Sequence, residues 1–349
     1  MIKTLQNTLK QDKEQFTVPR SVQDAIPIRR IWPDGVFQFG SKFSKCIRFS
    51  DINYAIASKE DKTAMFLNYS ELLNALDTGS TTKITINNKR LNRQNFEETI
   101  LLPPRGDFLD GYRAEYNAML TDKVTDSSNS VVQERYITVS THKKNVDEAR
   151  TFFDRVIGDV TSRLNKLDSH SEELDAIERL RILHDFYRVG EETEFHFNLK
   201  DSMRKGASYK DAICPDSMEF KKDHFVMGDK FGRVLFRKEY ASYIKDMLSI
   251  DVIPVPTDEA VREMQNRLLG VETNVTNWQR RQNSNNNFSA VVPYDLEQQR
   301  KETREMLDDL TTRDQRMMFA VVTLVHLADS KEELDSDTET LQSIARKHL

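Results

Sequence analysis

The stretch Phe37–Ile47, FQFGSKFSKCI, returns further along the chain as Phe225–Leu235, FVMGDKFGRVL. The two copies align without a gap at an offset of 188 residues (225 − 37). Each has a Gly followed by Ser or Asp between two runs rich in Phe and other apolar residues. Such a Gly accepts the positive φ of a tight turn, so each copy predicts a β-hairpin. Part of a phosphate-binding loop is the alternative for Gly40-Ser41-Lys42, but the segment lacks the G-x-x-x-x-G-K-[ST] spacing, which favours the turn.

A second pair of segments follows the hairpins at a similar distance. Arg135–Thr141 (RYITVST) and Met317–Leu327 (MMFAVVTLVHL) each predict a strand followed by a helix. Matching Tyr136 with Phe319 gives an offset of 183 residues (319 − 136). The sequence therefore predicts a mixed α/β fold of the α+β class, in which two related hairpin–helix–strand–helix units pack as one elongated domain.

Changes in composition along the chain set the predicted boundaries. We expect an extended arm over residues 1–32, a first α/β unit over 33–190, a polar connector over 191–217 and a second α/β unit over 218–349. The arm contains Pro19 and Pro27, and Pro33 follows it directly; these prolines favour an extended chain. A strap along the domain is the favoured interpretation of the arm, and a membrane-surface or partner-docking role is the alternative.

Composition narrows the class of protein. The 349 residues are 38% hydrophobic and 31% charged, which is typical of a globular chain, and the net charge is −5. That charge gives no reason to expect whole-surface attraction to nucleic acid or anionic lipid. The two cysteines predict free thiols, and the longest apolar run, of about 12 residues, falls short of the roughly 20 that span a bilayer. On composition alone, the expected location is cytosolic or peripheral to a membrane.

Local patterns predict two helices and a cap. A helix runs from about Asp110 to Asp122, Leu67 contributes to the apolar content of a helix that starts at Ser58, and Ser330 with Glu333 forms a capping box.

Four further local patterns make specific structural predictions. Asn145 with Glu148 predicts the start of a core-facing helix. Ser169–Val189 predicts another helix, and Thr257 caps one that Gly270 ends. The apolar residues on both faces of Met317–Leu327 predict a central strand covered on both sides.

The search for catalytic chemistry finds no recognised motif. None of the seven histidines has a metal-ligand spacing, and His326, in an apolar strand, is interpreted as a hydrogen-bonded core residue. Nothing in the sequence distinguishes acidic pairs such as Asp308 and Asp309 from acidic residues on a solvent-exposed helix face. The chain contains no nucleophile elbow, dinucleotide-binding or kinase signature.

Basic and aromatic residues mix at one place, beside the Asn-rich segment NSNNN. Trp278, Arg280 and Arg281 resemble a contact for single-stranded nucleic acid. An exposed loop anchored by one Trp is the alternative, and the residues favour it. The candidate interaction residues are these three together with the basic residues of the arm, Arg20, Arg29 and Arg30.

Four stretches carry a resemblance to a known family. They are SVQDAIPIRRIWPDGVFQFGSKFSKCIRFSDINY from Ser21, ERLRILHDFYR from Glu178, LLGVETNVTNWQRRQ from Leu268 and DLTTRDQRMMFAVVTLVHLADSKEEL from Asp309. The chain resembles the VirB/TrbE/CagE family of conjugation and type IV secretion ATPases, in the form found in Gram-positive conjugative transposons. The resemblance covers nearly the whole chain, although these stretches are not mechanistic motifs.

The resemblance implies an N-terminal α/β domain that precedes a RecA-like motor domain. It also implies contacts of that first domain with inner-membrane and channel subunits and with neighbouring subunits, in a complex that is usually a hexamer. This sequence lacks Walker A and Walker B motifs, so no catalytic residue is carried over. We therefore expect a non-catalytic docking domain, no cofactor in these residues, ATP and Mg²⁺ only in an absent C-terminal domain, and indirect or weak contact with DNA. The alternative is a free-standing protein that binds single-stranded nucleic acid.

Overall fold

A computed structural model of the chain describes residues 19–90, 100–125, 131–200, 202, 208–235, 247–285 and 291–348. Within these ranges helices and an antiparallel sheet combine, which confirms the predicted mixed α+β fold. The strands are β1 (Ile28–Ile31), β2 (Phe37–Phe39), β3 (Lys42–Phe49), β4 (Ser80–Arg90), β5 (Val131–His142), β6 (Ser171–Glu173), β7 (Met218–Phe220), β8 (Phe225–Met227), β9 (Lys230–Leu235), β10 (Met247–Pro254) and β11 (Met318–Ala328).

Eight α-helices accompany these strands in the described ranges. They are α1 (Val22–Ala25), α2 (Lys59–Asn74), α3 (Asp110–Thr125), α4 (Val146–Lys166), α5 (Ala176–Tyr187), α6 (Thr257–Ser284), α7 (Tyr294–Thr311) and α8 (Lys331–His348). Asn145 caps α4 by accepting a hydrogen bond from the Glu148 amide at 2.8 Å, as the sequence predicts.

The strand order of the sheet is symmetrical about its centre. The path runs β1-β2-β3-β5-β4-β10-β11-β9-β8-β7, and β6 pairs with β3 outside it. From either edge the path meets an outer strand (β1 or β7), then the two strands of a repeated hairpin (β2 and β3, or β8 and β9), and then the closing strand (β5 or β11). The innermost strand, β4 or β10, lies between the hairpin and the closing strand in sequence. The two halves join where β4 pairs with β10, so the predicted duplication is present as a single continuous sheet.

Strand pairing corrects the alignment of the two closing strands. Phe43 pairs with Thr141, and the matching Phe231 pairs with Ala328, which gives an offset of 187 residues (328 − 141). The sequence-based offset of 183 is therefore wrong by four residues. A shift by an even number leaves every side chain on the same face, so alternation alone does not detect it.

One face of the sheet in the first unit is covered by helices. Helix α4 buries Phe153, Val156 and Val160 against strand residues that include Ile137 and Val139. Helix α2 joins the same core only through its C-terminal end, at Leu72 and the following Leu76.

The opposite face brings the two outer hairpins together. Phe37 of β2 and Phe225 of β8 are both 1% exposed, and they belong to one hydrophobic cluster with Leu180 of α5 and Ile213. Since β2 and β8 lie near opposite ends of the strand order, the sheet must curl around α5 and the connector. The polar composition of residues 191–217 conceals this role, because Phe195, Ile213 and Cys214 are buried there.

The arm has regular structure in its described part. Residues 22–25 form α1 and residues 28–31 form β1, with Ile26 and Ile28 buried in the same cluster as Phe37. This packing agrees with a strap along the domain, while residues 1–18 lie outside the described residues.

Two helix predictions need correction. The helix predicted over Ser169–Val189 begins only at Ala176, because Asp175 and Glu178 form a capping box and residues 171–173 instead pair with β3. Helix α6 continues past Gly270 to Ser284, since its buried Val271 and Val275 stabilise a helical backbone beyond the glycine.

The predicted covering of the last strand is also wrong in part. β11 is central, between β10 and β9, but Ala320 is exposed and Val322 is 42% exposed. Buried residues concentrate in the C-terminal half of β11, where α8 packs. Near its N-terminal end Phe319 packs with the antiparallel hairpin of α6 and α7, through Ala260, Met264 and Leu310.

Candidate interaction surface

Helix α3 and the turn before it have an unusually exposed apolar surface. Residues 100–122 include no buried position. Seven large apolar side chains are 40–89% exposed: Ile100, Leu102, Phe108, Leu109, Tyr112, Tyr116 and Met119. Because a Phe or Tyr side chain offers roughly 150–250 Å², these seven expose on the order of 800 Å². For comparison, the largest contiguous apolar patch of a typical monomer covers about 300–600 Å².

Polar contacts fix the turn to one side of the helix. The Asp110 carboxylate accepts hydrogen bonds from the amides of Arg105 and Gly106, at 3.0 and 2.7 Å. Arg113 donates to both oxygens of Asp107 and also to Asp110. The hydrogen bond from Arg113 lowers the pKa of Asp107 below its usual value, and the backbone N–H groups of the turn, with Arg113, do the same for Asp110.

Asn117 continues this contact one helical turn further. Its side chain accepts from the Leu102 amide and donates to the Leu102 carbonyl, both at 2.9 Å. Arg113 and Asn117 are four residues apart and so lie on one side of α3. The preceding segment therefore runs along that side and leaves the others open.

The open side carries an apolar stripe with an acidic border. Tyr112, Tyr116 and Met119 follow the spacing of one helix face and are 70%, 47% and 45% exposed. Glu115 and Asp122 are exposed and lie beside the stripe, at three and ten residues from Tyr112. We call the stripe and these two acidic residues the α3 surface.

A second group of exposed apolar residues lies on and before α2. Tyr54, Ile56, Phe66, Leu67 and Tyr69 are 42–82% exposed. The sequence places Leu67 in the apolar content of this helix, but only Leu72 of α2 is buried. The first unit therefore offers two apolar surfaces on helices that do not pack with each other in the described residues.

The residues singled out from the sequence lie elsewhere. Arg20 precedes α1, and Arg29 and Arg30 are exposed on the edge strand β1. The predicted loop of Trp278, Arg280 and Arg281 is part of α6, with Trp278 half-buried and both arginines exposed.

The structure does not join these two basic groups into one site. No hydrogen bond, ion pair or ring contact among the described residues connects the arm arginines with the α6 group. The sequence analysis predicts the helix α3 but does not identify its apolar stripe. The spacing of Tyr112, Tyr116 and Met119 is the signal that indicates this stripe.

A buried arginine holds the first unit together. Arg179 is 8% exposed and donates to the carbonyls of Gly35 and Ser44, at 2.6 and 2.9 Å, and to the Ser44 hydroxyl at 3.1 Å. Its guanidinium lies 4.1 Å from the centroid of the Phe37 ring. Burial lowers the pKa of Arg179 to about 10, which keeps it charged at neutral pH.

Two buried groups that often serve catalysis are structural here. Burial raises the pKa of the Cys46 thiol, so it is not an activated nucleophile. His326 is 4% exposed, its Nε2 lies 3.0 Å from the Thr338 hydroxyl, and burial lowers its pKa. The prediction of a hydrogen-bonded core histidine is confirmed.

Comparisons with known proteins do not identify a family. No protein-family model matches the chain, and no curated protein matches it. Across the described residues, no group of His, Cys, Asp or Glu side chains could hold a metal ion. None of the helices in the described ranges combines the length and apolar character needed to cross a bilayer.

Proposed function

We propose that this chain is the non-catalytic N-terminal docking and assembly domain of a type IV secretion ATPase, the motor of conjugative transfer. The seven exposed apolar side chains of α3 and of the turn before it carry this proposal. An exposed apolar area on the order of 800 Å² matches one side of a protein interface of standard size. A helix that exposes such an area suits a domain whose function is to bind other subunits.

The stretches that resemble the VirB/TrbE/CagE family support the same proposal. They lie in α1 to β3, in α5, in α6 and from the end of α7 to the start of α8. These elements build the curled sheet and its two cores, so the resemblance concerns the framework of the domain. We propose that this framework holds docking surfaces for inner-membrane and channel subunits and for neighbouring copies in a hexamer at the cytoplasmic face of the membrane.

Nucleotide chemistry belongs to another part of the machine in this proposal. Phosphoryl transfer in such motors requires a Gly-rich backbone cradle with its Lys, and Mg²⁺ held by Ser or Thr and by a Walker B Asp. The sequence has no segment with that spacing. ATP and Mg²⁺ would therefore bind to a separate RecA-like domain, and this chain would position it.

The test combines the coding sequence with two assays. We expect a P-loop to be encoded soon after Leu349 and the intact protein to hydrolyse ATP. We expect the chain of residues 1–349 alone neither to bind nor to hydrolyse it. Removing these residues from the intact protein should leave hydrolysis measurable and abolish conjugative transfer. Saturable ATP binding by this chain, or a gene without a P-loop beyond Leu349, would overturn the proposal.

A further inference from the structure

We infer that the α3 surface binds an amphipathic helix of another protein, one whose apolar stripe is bordered by Lys or Arg. This inference rests on the proposed docking function and gives it a location and a partner chemistry. It starts from a difference between the two units of the duplicated fold.

The second unit shows how a helix at this position is normally covered. Helix α3 precedes the closing strand β5, as α7 precedes the closing strand β11. Helix α7 packs on α6, and its Thr303 and Leu310 are 4% and 9% exposed. In α3 no residue from Asp110 to Asp122 is buried, and described residues 100–109 form turns instead of a second helix. The part of the first unit that the structure describes thus lacks a counterpart of α6.

Among the described residues, the turn that packs on α3 leaves its apolar stripe exposed. Arg113 and Asn117 attach the preceding turn to one side through side chains and backbone groups. Tyr112, Tyr116 and Met119 point to another side, where their spacing of four and three residues forms a ridge. Such a ridge fits the groove of a second helix. A helix is therefore the element that the surface accommodates best.

The contact between α6 and α7 also includes an ion pair. Arg304 of α7 donates to Glu272 of α6 at 2.6 Å, beside the apolar contacts between the two helices. On α3 two exposed residues beside the stripe are acidic, Glu115 and Asp122. A partner helix with Lys or Arg beside its own apolar stripe would complete the corresponding ion pairs.

Charge also favours a basic helix over two other binding partners, a second copy of this chain and an anionic membrane. A second copy of α3 would bring a second set of acidic borders to the interface, and like charges across an interface are unfavourable. Helices that lie on anionic membranes carry Lys and Arg on their polar face. The border of the α3 stripe has the opposite sign, so a basic protein helix fits it better than either.

Two synthetic helical peptides of roughly 18 residues, five turns, test the inference directly. Both carry the same Leu stripe, and one has Lys and the other Glu on the polar positions. Binding of each fluorescent peptide to the full chain is measured by anisotropy. The variants are the double Tyr112→Ser/Tyr116→Ser, Glu115→Lys and, as a matched control, Tyr294→Ser, whose Tyr is 77% exposed on α7. Circular dichroism and sedimentation establish fold and oligomeric state.

We expect the Lys peptide to bind at least about tenfold more tightly than the Glu peptide, a difference near 1.4 kcal/mol. The double variant should lose at least tenfold in affinity, Glu115→Lys should reduce the preference, and Tyr294→Ser should change nothing. Failure of both peptides to bind, or equal binding of both, would overturn the inference. So would a dimer that the double variant abolishes, or stronger binding to anionic vesicles than to the Lys peptide. Because ATP hydrolysis and transfer are measured separately, these results leave the test of the proposed function independent.

Discussion

Thr85 and Ser249 occupy equivalent positions in the two units and lie directly opposite each other at the centre of the sheet. Thr85 pairs with Tyr136 on its other side, and Ser249 pairs with Thr323, which is the equivalent of Tyr136 at the offset of 187. The neighbouring sequences agree, since Ile84–Asn87 (ITIN) matches Leu248–Asp251 (LSID). A pseudo-twofold axis therefore passes between these two side chains.

The first prediction concerns this central pair. Thr85 and Ser249 are 6% and 7% exposed, so Thr85→Asp or Ser249→Lys alone should destabilise the fold by about 2 kcal/mol, because it buries a charge. Together the two substitutions place opposite charges side by side. The double variant should lose less than the sum of the single losses, by about 1 kcal/mol, as contacting residues do. Urea unfolding of the four proteins measures this coupling.

A control pair of the same chemistry isolates the effect of the contact. Thr85→Asp combined with Lys substitution at Ser330, at the start of α8, should give losses that add within about 0.5 kcal/mol, as for distant sites. Additive losses for Thr85 and Ser249 as well would contradict their pairing and the axis between them.

The second prediction concerns a glycine of the second hairpin whose equivalent in the first hairpin is a serine. Gly232 is the equivalent of Ser44 in the first hairpin, and a Cβ atom added at Gly232 would lie 1.8 Å from the Phe225 ring and 2.7 Å from Leu327. Gly232→Ala should therefore destabilise the protein by about 1–3 kcal/mol through overpacking. Thermal and urea unfolding of the variant measure the loss.

Gly270 provides the matched control for this substitution. It lies within α6 with open space around it, so Gly270→Ala should stabilise the protein by about 0.5–1 kcal/mol. A loss of stability at Gly270 would contradict the continuous α6, and an unchanged Gly232→Ala variant would contradict the packing of Phe225 over the strand.

These positions show what the sequence does and does not determine. The hairpin turns and the caps at Asn145 and Ser330 depend on local chemistry, and they were predictable. The register of β11 was not, because apolar residues alternate on both of its faces and a four-residue shift keeps them there. The buried Phe195 and Ile213 were hidden in a polar segment, since their burial depends on the distant outer hairpins.

The candidate site illustrates the same division. Helix α3 was predictable from its pattern, but its exposure was not, because exposure depends on which other elements pack against it. The Trp278 group was identified as a loop from the Asn-rich sequence beside it. The structure places it in a helix because Val271 and Val275 are buried and continue the helical pattern past Gly270.

The third prediction concerns the buried arginine. Arg179→Leu removes the donors to the carbonyls of Gly35 and Ser44 and should destabilise the fold by about 2–4 kcal/mol, since buried acceptors without partners are costly. Arg181→Leu on the same helix is the control. Arg181 is exposed and its guanidinium lies 5.5 Å from the centroid of the Phe195 ring, so its loss should stay within about 1 kcal/mol. Urea unfolding compares the two, and equal effects would show that the Arg179 hydrogen bonds contribute little.

The fourth prediction is a dependence of stability on pH. Burial lowers the pKa of His326 below its ordinary value of 6.5, with Arg233 acting in the same direction and Asp337 against it. Between the folded pKa and 6.5 the unfolded chain binds a proton that the folded protein does not. Stability should therefore fall as pH falls through this window.

The variant His326→Gln should lessen that fall, although it also lowers stability at neutral pH. Its Tm should drop less between about pH 7.5 and pH 5 than that of the unsubstituted protein. An identical slope in His326→Gln would show that another group is responsible.

The fifth prediction separates docking from nucleic-acid binding. Single-strand binding through Trp278 requires an exposed ring on which bases stack, together with phosphate contacts from Arg280 and Arg281. Trp278 is half-buried on α6, and the net charge is −5. We therefore expect weak binding to a labelled single-stranded oligonucleotide, and Trp278→Ala should change it little. Tight binding that falls steeply with salt, and that Trp278→Ala and Arg280→Ala each reduce about tenfold, would instead favour a nucleic-acid-binding protein. Arg313→Ala, at an exposed arginine just beyond α7, is the control for a general loss of positive charge.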